Sequence, residues 1–428
     1  MIRCDESRLA PSLKEAMEPW FCRAVAAHER LKNDDFDFSG WYHWPKDHGW
    51  QLLKTIRETE KKIMASWDCV VVIGIGGSFA GSKAVFEAMS HRYPLASPET
   101  STQKPLFWAG HDLSEAALIE LIDLLETRQP LIQFVSRSGT TTEPTIAMRV
   151  LNEYMQRRYG QDAAQRTFWV MGRETSALKL EEDGWHIGLP ETIGGRFSMM
   201  TAAGMLPLAF CGYDVEAMMQ GAENFYKDLE KDNPHDVLRY AAARMAIHHT
   251  GKNVELLVCA DHKLNGVAEW WKQLFGESEG KDGKGIFPAS ATYSTDLHSL
   301  GQFVQEGNPL LFETFLKVEK ETCRGANGVA RTLTIPASSK SGEDLWAGRN
   351  LSEINKKVIE AAMDAHTSAG IPALGLEIEQ VNERTLGELM AFFKVSCAVS
   401  ALMLGVDPFN QPGVEAYKKR LFELMRNS

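Results

Sequence analysis

The segment Ser136-Arg137-Ser138-Gly139-Thr140-Thr141-Thr142-Glu143-Pro144 decides which fold this chain is expected to adopt. It follows an apolar run at 131–135 that is typical of a buried strand, and helical spacing begins again at Ile146. Pro144 suits the first turn of a helix, where a missing backbone N–H costs little. The segment is therefore a strand-to-helix turn, the connection from which α/β folds with parallel sheets are built.

This turn also has the chemistry of an anion site. Its free backbone N–H groups and five hydroxyls would lie at the positive end of a helix dipole, where a phosphate binds well. It lacks the lysine of a triphosphate-binding loop, which argues against a nucleoside triphosphate. A Ser/Thr-rich helix cap without any ligand explains the same composition, and the local sequence leaves both interpretations open.

Length and charge restrict the class of protein. The 428 residues correspond to two or three domains, and 46 basic against 57 acidic side chains give a formal charge of −11. This acidic balance argues against a nucleic acid as partner. The apolar stretch 392–406 is too short for a membrane span and is interrupted by Lys394, so no membrane partner is expected.

The cysteines and the N-terminus indicate a cytoplasmic protein. The N-terminal residues lack the cationic and apolar segments of a secretion signal. No two of the seven cysteines have Cys-x-x-Cys spacing, so we expect free thiols in a reducing compartment, without disulfides or zinc. They lie at positions 4, 22, 69, 211, 259, 323 and 397.

A second turn, rich in glycine, follows another buried strand at 69–73. The run Gly74-Ile75-Gly76-Gly77-Ser78 lets the backbone turn sharply and approach a ligand closely. It imitates a dinucleotide-binding fingerprint, but Phe79 occupies the position of the last glycine, and Asp112 lies near the usual place of a ribose-binding acid. A nicotinamide cofactor therefore remains an alternative at this point.

Strands and helices alternate beyond both turns. Strands at 106–109, 131–135, 167–171 and 185–189 predict a parallel sheet with helices on both faces, so both turns would meet at its carboxyl edge. Gly194-Gly195-Arg196 then opens an apolar helix. Arg196 is placed either to reach into a cleft or simply at the surface.

A second unit begins near residue 215. It contains predicted strands at 254–260 and 310–318, a helix at 266–275, and a charged, glycine-rich segment at 276–285 that is typical of a solvated loop. A capping box at Thr385–Glu388 predicts a buried helix ending at Gly405, and a last helix starts near Pro412 with a packing stripe. The stripe residues are Val414, Tyr417, Leu421 and Leu424.

Five segments in order resemble the phosphoglucose isomerase family. They are Gly74–Ser78, Ser136–Glu143, Gly194–Ser198, Glu277–Lys281 and Gln411–Lys418, with His298 before the last of them. The resemblance implies two sugar-isomerase (SIS) domains, each a five-stranded parallel sheet flanked by helices. We expect a helical segment at 1–65, the two domains at 66–215 and 216–395, and a C-terminal helical segment at 396–428 that completes the active site.

The resemblance also implies roles for single residues. Glu277 would be the base and Arg196 the partner of the intermediate, while His298, supplied by the neighbouring subunit of a homodimer, and Lys418 would assist ring opening. The other expected contacts of the substrate, most of them with its phosphate, are Gly77, Ser78, Ser136, Arg137 through its backbone, Ser138, Thr141 and Gln411. Glu279 and Arg137 differ from the residues frequent in the family, without touching these chemical roles.

The implied chemistry moves a proton between C2 and C1 of a hexose 6-phosphate through a cis-enediol. A glutamate is ionised at neutral pH and can take the proton, and an arginine stabilises the enediolate without giving up its own. A histidine has a suitable pKa range for ring opening. The reaction needs no metal or redox cofactor, and we expect neither.

Two further enzyme classes and one binding class remain as alternatives. A nicotinamide dehydrogenase would show a cofactor-dependent change in absorbance. A sugar-amidating enzyme would need an N-terminal cysteine nucleophile and a glutaminase domain, which we do not find before residue 66. A sugar-phosphate sensor would keep the phosphate turns but have no need of Glu277, Arg196 and Lys418.

Overall fold

The computed structural model describes residues 2–92, 103–172, 184–231, 236–321, 331–338 and 344–426. Within them the chain forms strands that group into two sheets. The strands are β1 (Arg3–Asp5), β2 (Cys69–Ile73), β3 (Leu106–Ala109), β4 (Pro130–Ser136), β5 (Thr167–Met171), β6 (Trp185–Gly188), β7 (Val254–Cys259), β8 (Phe287–Thr292), β9 (Leu311–Val318) and β10 (Ala373–Ile378).

Helices alternate with these strands and cover the sheets, as an α/β fold requires. Short 3₁₀ turns connect several of them, and those at Gly76–Ser78, Gly195–Met200 and Thr295–His298 matter below. The helices are α1 (Pro11–Asn33), α2 (Trp50–Lys62), α3 (Ala80–Met89), α4 (Glu115–Leu125), α5 (Thr142–Tyr159), α6 (Ala202–Phe210), α7 (Val215–Leu229), α8 (Asp236–His248), α9 (Asn265–Glu279), α10 (Gly301–Glu306), α11 (Leu351–Ser368), α12 (Glu383–Leu404) and α13 (Glu415–Arg426).

The first sheet confirms the predicted parallel arrangement. Its order is β3-β2-β4-β5-β6, and every pairing is parallel. β2, β4 and β5 are buried along their whole length, which explains why they appear in the sequence as continuous apolar runs. The two turns identified from the sequence follow β2 and β4, which are neighbours in this sheet.

The second sheet differs from the prediction at one edge. Its order is β1-β10-β9-β7-β8, in which β1 pairs antiparallel with β10 and the other pairings are parallel. The predicted five parallel strands are therefore four, with an N-terminal fifth strand that runs the other way. β1 has only three residues, too few for an alternating apolar pattern to be recognised from the sequence.

Helix α12 is the central helix of the core. It begins after Asn382, whose side chain accepts a hydrogen bond from the Thr385 N–H, so the cap lies three residues before the predicted capping box. It ends, as predicted, at Gly405, which has the left-handed conformation. The helix is long and apolar enough to cross a bilayer, but 89% of its most apolar window is buried inside the protein, as in a core helix.

Two helices depart from the sequence prediction. α9 continues through Gly276 to Glu279, so the start of the predicted solvated loop is its last helical turn. In α13 the predicted stripe is only half covered within the chain, because Tyr417 and Leu424 are 53% and 51% exposed, while Val414 and Leu421 are partly buried. Among the cysteines, the six in the described residues are free thiols, and Cys323 lies outside those residues.

Candidate active site

The glycine turn and the hydroxyl turn begin side by side at the carboxyl edge of the first sheet. Ile73 at the end of β2 pairs with Phe134 in β4, so the chain leaves both strands at the same edge. A Cβ added to Gly74 would lie 3.4 Å from the Val135 carbonyl oxygen, which shows how closely the two segments approach. This edge is where ligands bind in open parallel sheets.

The hydroxyl turn closes on itself through its own serines. The Ser136 hydroxyl accepts a hydrogen bond from the Gly139 N–H at 3.0 Å, and Gly139 has a φ of +66°, which favours glycine. The Ser138 hydroxyl accepts from both the N–H and the hydroxyl of Thr140. Thr141 is the N-cap of α5 but forms no side-chain cap bond. The turn thus presents hydroxyls at the positive end of an 18-residue helix.

Two of the turn's residues differ in what they offer to a ligand. Ser138 is exposed to solvent. The Arg137 guanidinium instead lies over the Phe38 ring, 4.6 Å from its centroid, and its carbonyl oxygen faces Gly172. The charge of Arg137 thus lies against an aromatic ring.

The glycine turn is packed directly against the segment that carries Arg196. A Cβ on Gly77 would lie 2.1 Å from the carbonyl carbon and oxygen of Gly195 and 2.5 Å from the Arg196 nitrogen. The Ser198 hydroxyl bridges the two turns, since it donates to the carbonyl oxygens of Gly195 at 2.7 Å and Gly77 at 3.3 Å. Only glycine fits at position 77, and Ser78 lies beside it in the same 3₁₀ turn.

Arg196 is the centre of the site. Its side chain is 2% exposed, and its Nη1 atom lies 3.2 Å from Oε2 of Glu277. Nη1 also donates to the Gln411 side-chain oxygen at 2.8 Å, and Nε donates to the Ser278 hydroxyl at 2.8 Å. Nη2 donates to the carbonyl oxygens of Pro408 and Asn410 at 2.5 and 3.1 Å.

These five hydrogen bonds match the five N–H groups of a guanidinium. Burial lowers the pKa of Arg196, and the negative charge of Glu277 opposes that shift. An arginine remains protonated even so, because its ordinary pKa is far above neutrality. The site therefore contains a fixed, buried positive charge next to a carboxylate.

Glu277 is the more accessible partner of this pair. Its side chain is 29% exposed, and it occupies the last turn of α9. Its other oxygen, Oε1, accepts a hydrogen bond from the Gln273 amide at 3.0 Å. That amide nitrogen also lies 2.7 Å from the place of a Cβ on Gly76, so Gln273 joins the carboxylate to the glycine turn.

Lys281 fastens the segment that brings Gln411 into the site. Its Nζ donates to the carbonyl oxygens of Ser278 at 2.8 Å and Asp407 at 2.5 Å. Burial, together with the positive charge of Arg196, lowers its pKa to about 8. Lys281 and Arg196 thus both bind backbone oxygens between residues 407 and 410.

Two further candidates, His298 and Lys418, lie on other segments of the chain. His298 is exposed at the end of the Thr295–His298 turn, and no hydrogen bond or ion pair of the described residues joins it to Arg196 or Glu277. Lys418 is partly buried on α13, one helical turn beyond the Pro412–Val414 turn that follows Gln411.

Several contributors were not predicted from the sequence. They are Gln273, Ser278, Lys281 and the carbonyl groups of Pro408 and Asn410. Gln273 and Glu277 are four residues apart on one helix, a spacing that would have linked them had α9 been predicted to continue past Phe275. Backbone carbonyls leave no side-chain signature, so Pro408 and Asn410 could not be found in this way.

A cavity of about 250 Å³ lies between the segment after β3, helix α4 and the first turns of α5, and none of its lining residues belongs to the Arg196–Glu277 cluster. Its walls include Asp112, Glu115 and Glu143 but no lysine or arginine, so an anionic ligand is not expected there. The described residues also contain no group of three or more His, Cys, Asp or Glu side chains suited to a metal ion.

Comparison with known proteins identifies the family. The sequence pattern of the family described as phosphoglucose isomerase matches residues 50–427. The glucose-6-phosphate isomerase of Clostridioides difficile is 39% identical over 423 residues, which cover 96% of this chain and 92% of that protein. That of Symbiobacterium thermophilum is 42% identical over 409 residues, with coverage of 93% and 89%.

Solved structures show the same fold. A protein from Thermus thermophilus, described as hypothetical, superposes with a TM-score of 0.83 at 24% identity, over 99% of this chain and all of that one. A glucose-6-phosphate isomerase from Chlamydia trachomatis superposes with a TM-score of 0.73 at 18% identity, over 96% and 83%. On the sequence matches, the chain belongs to the phosphoglucose isomerase family.

Proposed function

We propose that this chain interconverts D-glucose 6-phosphate and D-fructose 6-phosphate through a cis-enediol intermediate. The observation that carries the proposal is the contact between Glu277 and Arg196, 3.2 Å apart at the carboxyl edge of the first sheet. An accessible carboxylate beside a buried guanidinium is what a proton transfer through an enediolate requires. Membership of the phosphoglucose isomerase family supports the same activity.

Glu277 would take the C2 proton and return it to C1. Its two oxygens are held by Gln273 and Arg196, so the carboxylate is oriented before substrate arrives. Because all N–H groups of Arg196 already have protein acceptors, the intermediate must replace one of them. Glu277 and Gln411 are the side-chain acceptors on Nη1 and the candidates for that exchange.

The substrate phosphate would bind between the two turns. Backbone N–H groups and hydroxyls at the start of α5 supply a neutral cradle, and the helix dipole supplies the favourable potential. The groups assigned to this role are Gly77, Ser78, Ser136, the Arg137 backbone, Ser138 and Thr141. Their common position at the carboxyl edge supports the assignment.

His298 and Lys418 would open the sugar ring, with His298 coming from the second subunit of a homodimer. The support is that His298 is exposed and lies outside the Arg196–Glu277 cluster of its own chain. Exposed apolar side chains close to it in sequence, Leu300 and Phe303, are typical of a surface that another chain covers.

The wider assignments follow from the family. We propose residues 66–215 and 216–395 as the two sugar-isomerase domains, with flanking segments at 1–65 and 396–428. We also propose a cytoplasmic enzyme that acts on a free sugar phosphate, with no cofactor and with no nucleic acid or membrane as partner.

One assay tests the activity. The chain is incubated with fructose 6-phosphate and EDTA, and the formation of glucose 6-phosphate is followed. Rapid formation is expected, since no metal takes part in the proposed chemistry. Absence of product from a folded chain would overturn the proposal.

A single substitution then tests the role of the base. Glu277→Gln keeps the shape and one acceptor oxygen, so it should still bind substrate but no longer exchange the C2 proton with solvent. Normal exchange in that variant would remove Glu277 from the mechanism.

A further inference from the structure

A buried polar cluster includes Tyr293, which stands two residues before the Thr295–His298 turn. Glu313 on β9 is completely buried and accepts hydrogen bonds from the Tyr293 hydroxyl at 2.5 Å and from His366 Nδ1 at 2.8 Å. Tyr293 and His366 are only 2% and 3% exposed. None of the three residues belongs to the Arg196–Glu277 cluster, and their polar groups have no part in the mechanism described above.

The cluster is joined to His298 through a short piece of backbone. Tyr293 follows the last residue of β8, Thr292, and stands two residues before the Thr295–His298 turn. The Asp296 carboxylate ties that turn to the end of the strand, because it accepts from the Thr292 N–H at 2.7 Å and from the Ser299 hydroxyl at 2.9 Å. The turn is thus fixed internally by Asp296 and at its base by Tyr293.

Packing alone does not explain this cluster. The Tyr293 ring already contacts Phe315, with centroids 5.8 Å apart, and a phenylalanine would keep that contact. A buried carboxylate is costly unless its partners satisfy it, so apolar residues would make a simpler core. Burial and the nearby Glu313 charge raise the pKa of Tyr293, so its hydroxyl stays a hydrogen-bond donor.

We propose that Tyr293 and Glu313, with His366, are positioning residues that fix the His298 turn so that its imidazole reaches the ring oxygen of a sugar bound by the neighbouring subunit. The inference rests on the ring-opening role proposed for His298. It assigns to the cluster an effect on one step, ring opening and closure, and none on the C2 proton transfer by Glu277.

The test separates these two steps by a deuterium isotope effect. The rates of glucose 6-phosphate and its 2-deuterated form are compared for wild type, Tyr293→Phe and His298→Ala. A misplaced imidazole slows both opening and closure, so opened substrate proceeds to proton transfer more often than it closes again. The isotope effect on kcat/KM should therefore fall below the wild-type value, while kcat/KM itself drops by about tenfold for the loss of one buried hydrogen bond.

A matched control is available in the same chain. Tyr240 is also a fully buried tyrosine whose hydroxyl donates to a buried carboxylate, Glu255, at 2.6 Å. It belongs to a different cluster, around Arg244, away from the His298 turn. Tyr240→Phe should lower the melting temperature about as much as Tyr293→Phe but leave the isotope effect at the wild-type value. A smaller fraction of folded enzyme lowers the rates of both isotopic substrates equally, so their ratio does not change.

Each outcome decides a different statement. If wild type does not isomerise, the proposed function fails. If His298→Ala retains the wild-type rate and isotope effect, the role of His298 fails, and this inference fails with it. If His298→Ala lowers the isotope effect but Tyr293→Phe behaves like Tyr240→Phe, only the positioning role is overturned.

A second variant keeps the test decisive if Tyr293→Phe does not fold. Glu313→Met keeps a side chain of similar length but removes both oxygen acceptors, so the hydrogen bonds from Tyr293 and His366 are both lost. It should lower the isotope effect in the same direction as Tyr293→Phe. An unchanged isotope effect in a folded Glu313→Met chain would also contradict the proposal.

Discussion

Nη1 of Arg196 lies 3.2 Å from Oε2 of Glu277, so the base and the cation of the proposed reaction are in contact before any substrate binds. The pair is unequal, since Arg196 is 2% exposed and Glu277 29% exposed. The arginine is held by the protein on all sides, while the carboxylate borders the open part of the site. Substrate is therefore expected to change the surroundings of Glu277 more than those of Arg196.

Arg196→Lys should remove most of the activity. A lysine keeps the charge but cannot reproduce five hydrogen bonds in a planar fork. Loss of one such electrostatic stabiliser costs about 3–4 kcal/mol, so kcat/KM should fall by roughly 10²–10³-fold. Hydrogen exchange should also become faster at the backbone amides of residues 409–411, because Arg196 binds the carbonyl oxygens of Pro408 and Asn410.

Arg166→Lys is the matched control for that substitution. Arg166 is also a buried arginine, with 7% exposure and a hydrogen bond to the Ser66 carbonyl oxygen, but it lies outside the site. It should affect stability without a selective loss of turnover. An Arg196→Lys chain with turnover close to that of the control would contradict the role of Arg196.

Gly77→Ala should separate the two turns that form the site. The new Cβ would lie 2.1 Å from the Gly195 carbonyl group and 2.5 Å from the Arg196 nitrogen. Both are backbone groups, which cannot rotate out of the way as a side chain can. Displacing a catalytic group by about 1 Å can cost roughly 10²-fold in rate, and we expect a loss of that size in kcat/KM. The loss is measured by steady-state kinetics, with Gly188→Ala as the control, because no atom lies within 4 Å of a Cβ added at that position. Equal activity of the two variants would show that the close approach has no catalytic importance.

The sequence predicted the first sheet well because its strands are buried on both faces. β2, β4 and β5 form continuous apolar runs, and the two turns after β2 and β4 have distinctive composition. The second sheet was harder to predict. β8 carries Pro288 and small side chains, and β1 is three residues long, so neither has a clear strand pattern.

The candidate site residues with distinctive side chains could be predicted from the sequence. The parts of the site that depend on how the chain folds locally could not. Glu277 and Arg196 were found by resemblance, and their contact confirms that the structure brings them together. The helical continuation of α9 was missed because Gly276 and the charges after it are typical of a loop. Tertiary packing overrides that local preference: Ser278 and Glu279 are fully buried, and Glu279 pairs with Arg244.

Ser136→Ala should weaken phosphate binding more than turnover. The Ser136 hydroxyl accepts from the Gly139 N–H and shapes the turn at the start of α5. Removing one partner of a buried hydrogen bond costs about 1–3 kcal/mol, so KM should rise by roughly five- to a hundredfold with a smaller change in kcat. Inhibition by inorganic phosphate should weaken in parallel, which links the effect to the phosphate end of the substrate.

Ser396→Ala provides the comparison for this effect. Ser396 is buried in α12, and its hydroxyl donates to the Phe393 carbonyl oxygen far from the turn. Its KM and phosphate inhibition should stay at wild-type values. If Ser136→Ala shows the same unchanged constants, the hydroxyl turn is not the phosphate site.

Lys394→Met should stabilise the protein, and the gain should depend on pH. Lys394 is completely buried in α12, and among the described residues its Nζ has no hydrogen-bond partner, only the face of the Trp41 ring at 5.3 Å. An uncompensated buried charge costs about 3–5 kcal/mol. Burial lowers the pKa of Lys394 from 10.5 to about 7.

The sign of the pH dependence follows from where the proton binds more tightly. Between about pH 7 and 10.5 the unfolded chain keeps the Lys394 proton and the folded chain has lost it, so the free energy of unfolding of wild type should rise with pH. The contribution approaches about 1.4 kcal/mol per pH unit. Below pH 7 both states are protonated, and this group adds no slope.

Denaturant unfolding of wild type and Lys394→Met between about pH 7 and 10.5 should therefore give stability curves that differ most near pH 7 and converge as pH rises. Lys54→Met, at an exposed lysine of α2, is the control and should leave the wild-type pH dependence of the free energy of unfolding unchanged. If the wild-type curve runs parallel to that of Lys394→Met, Lys394 does not titrate between these pH values.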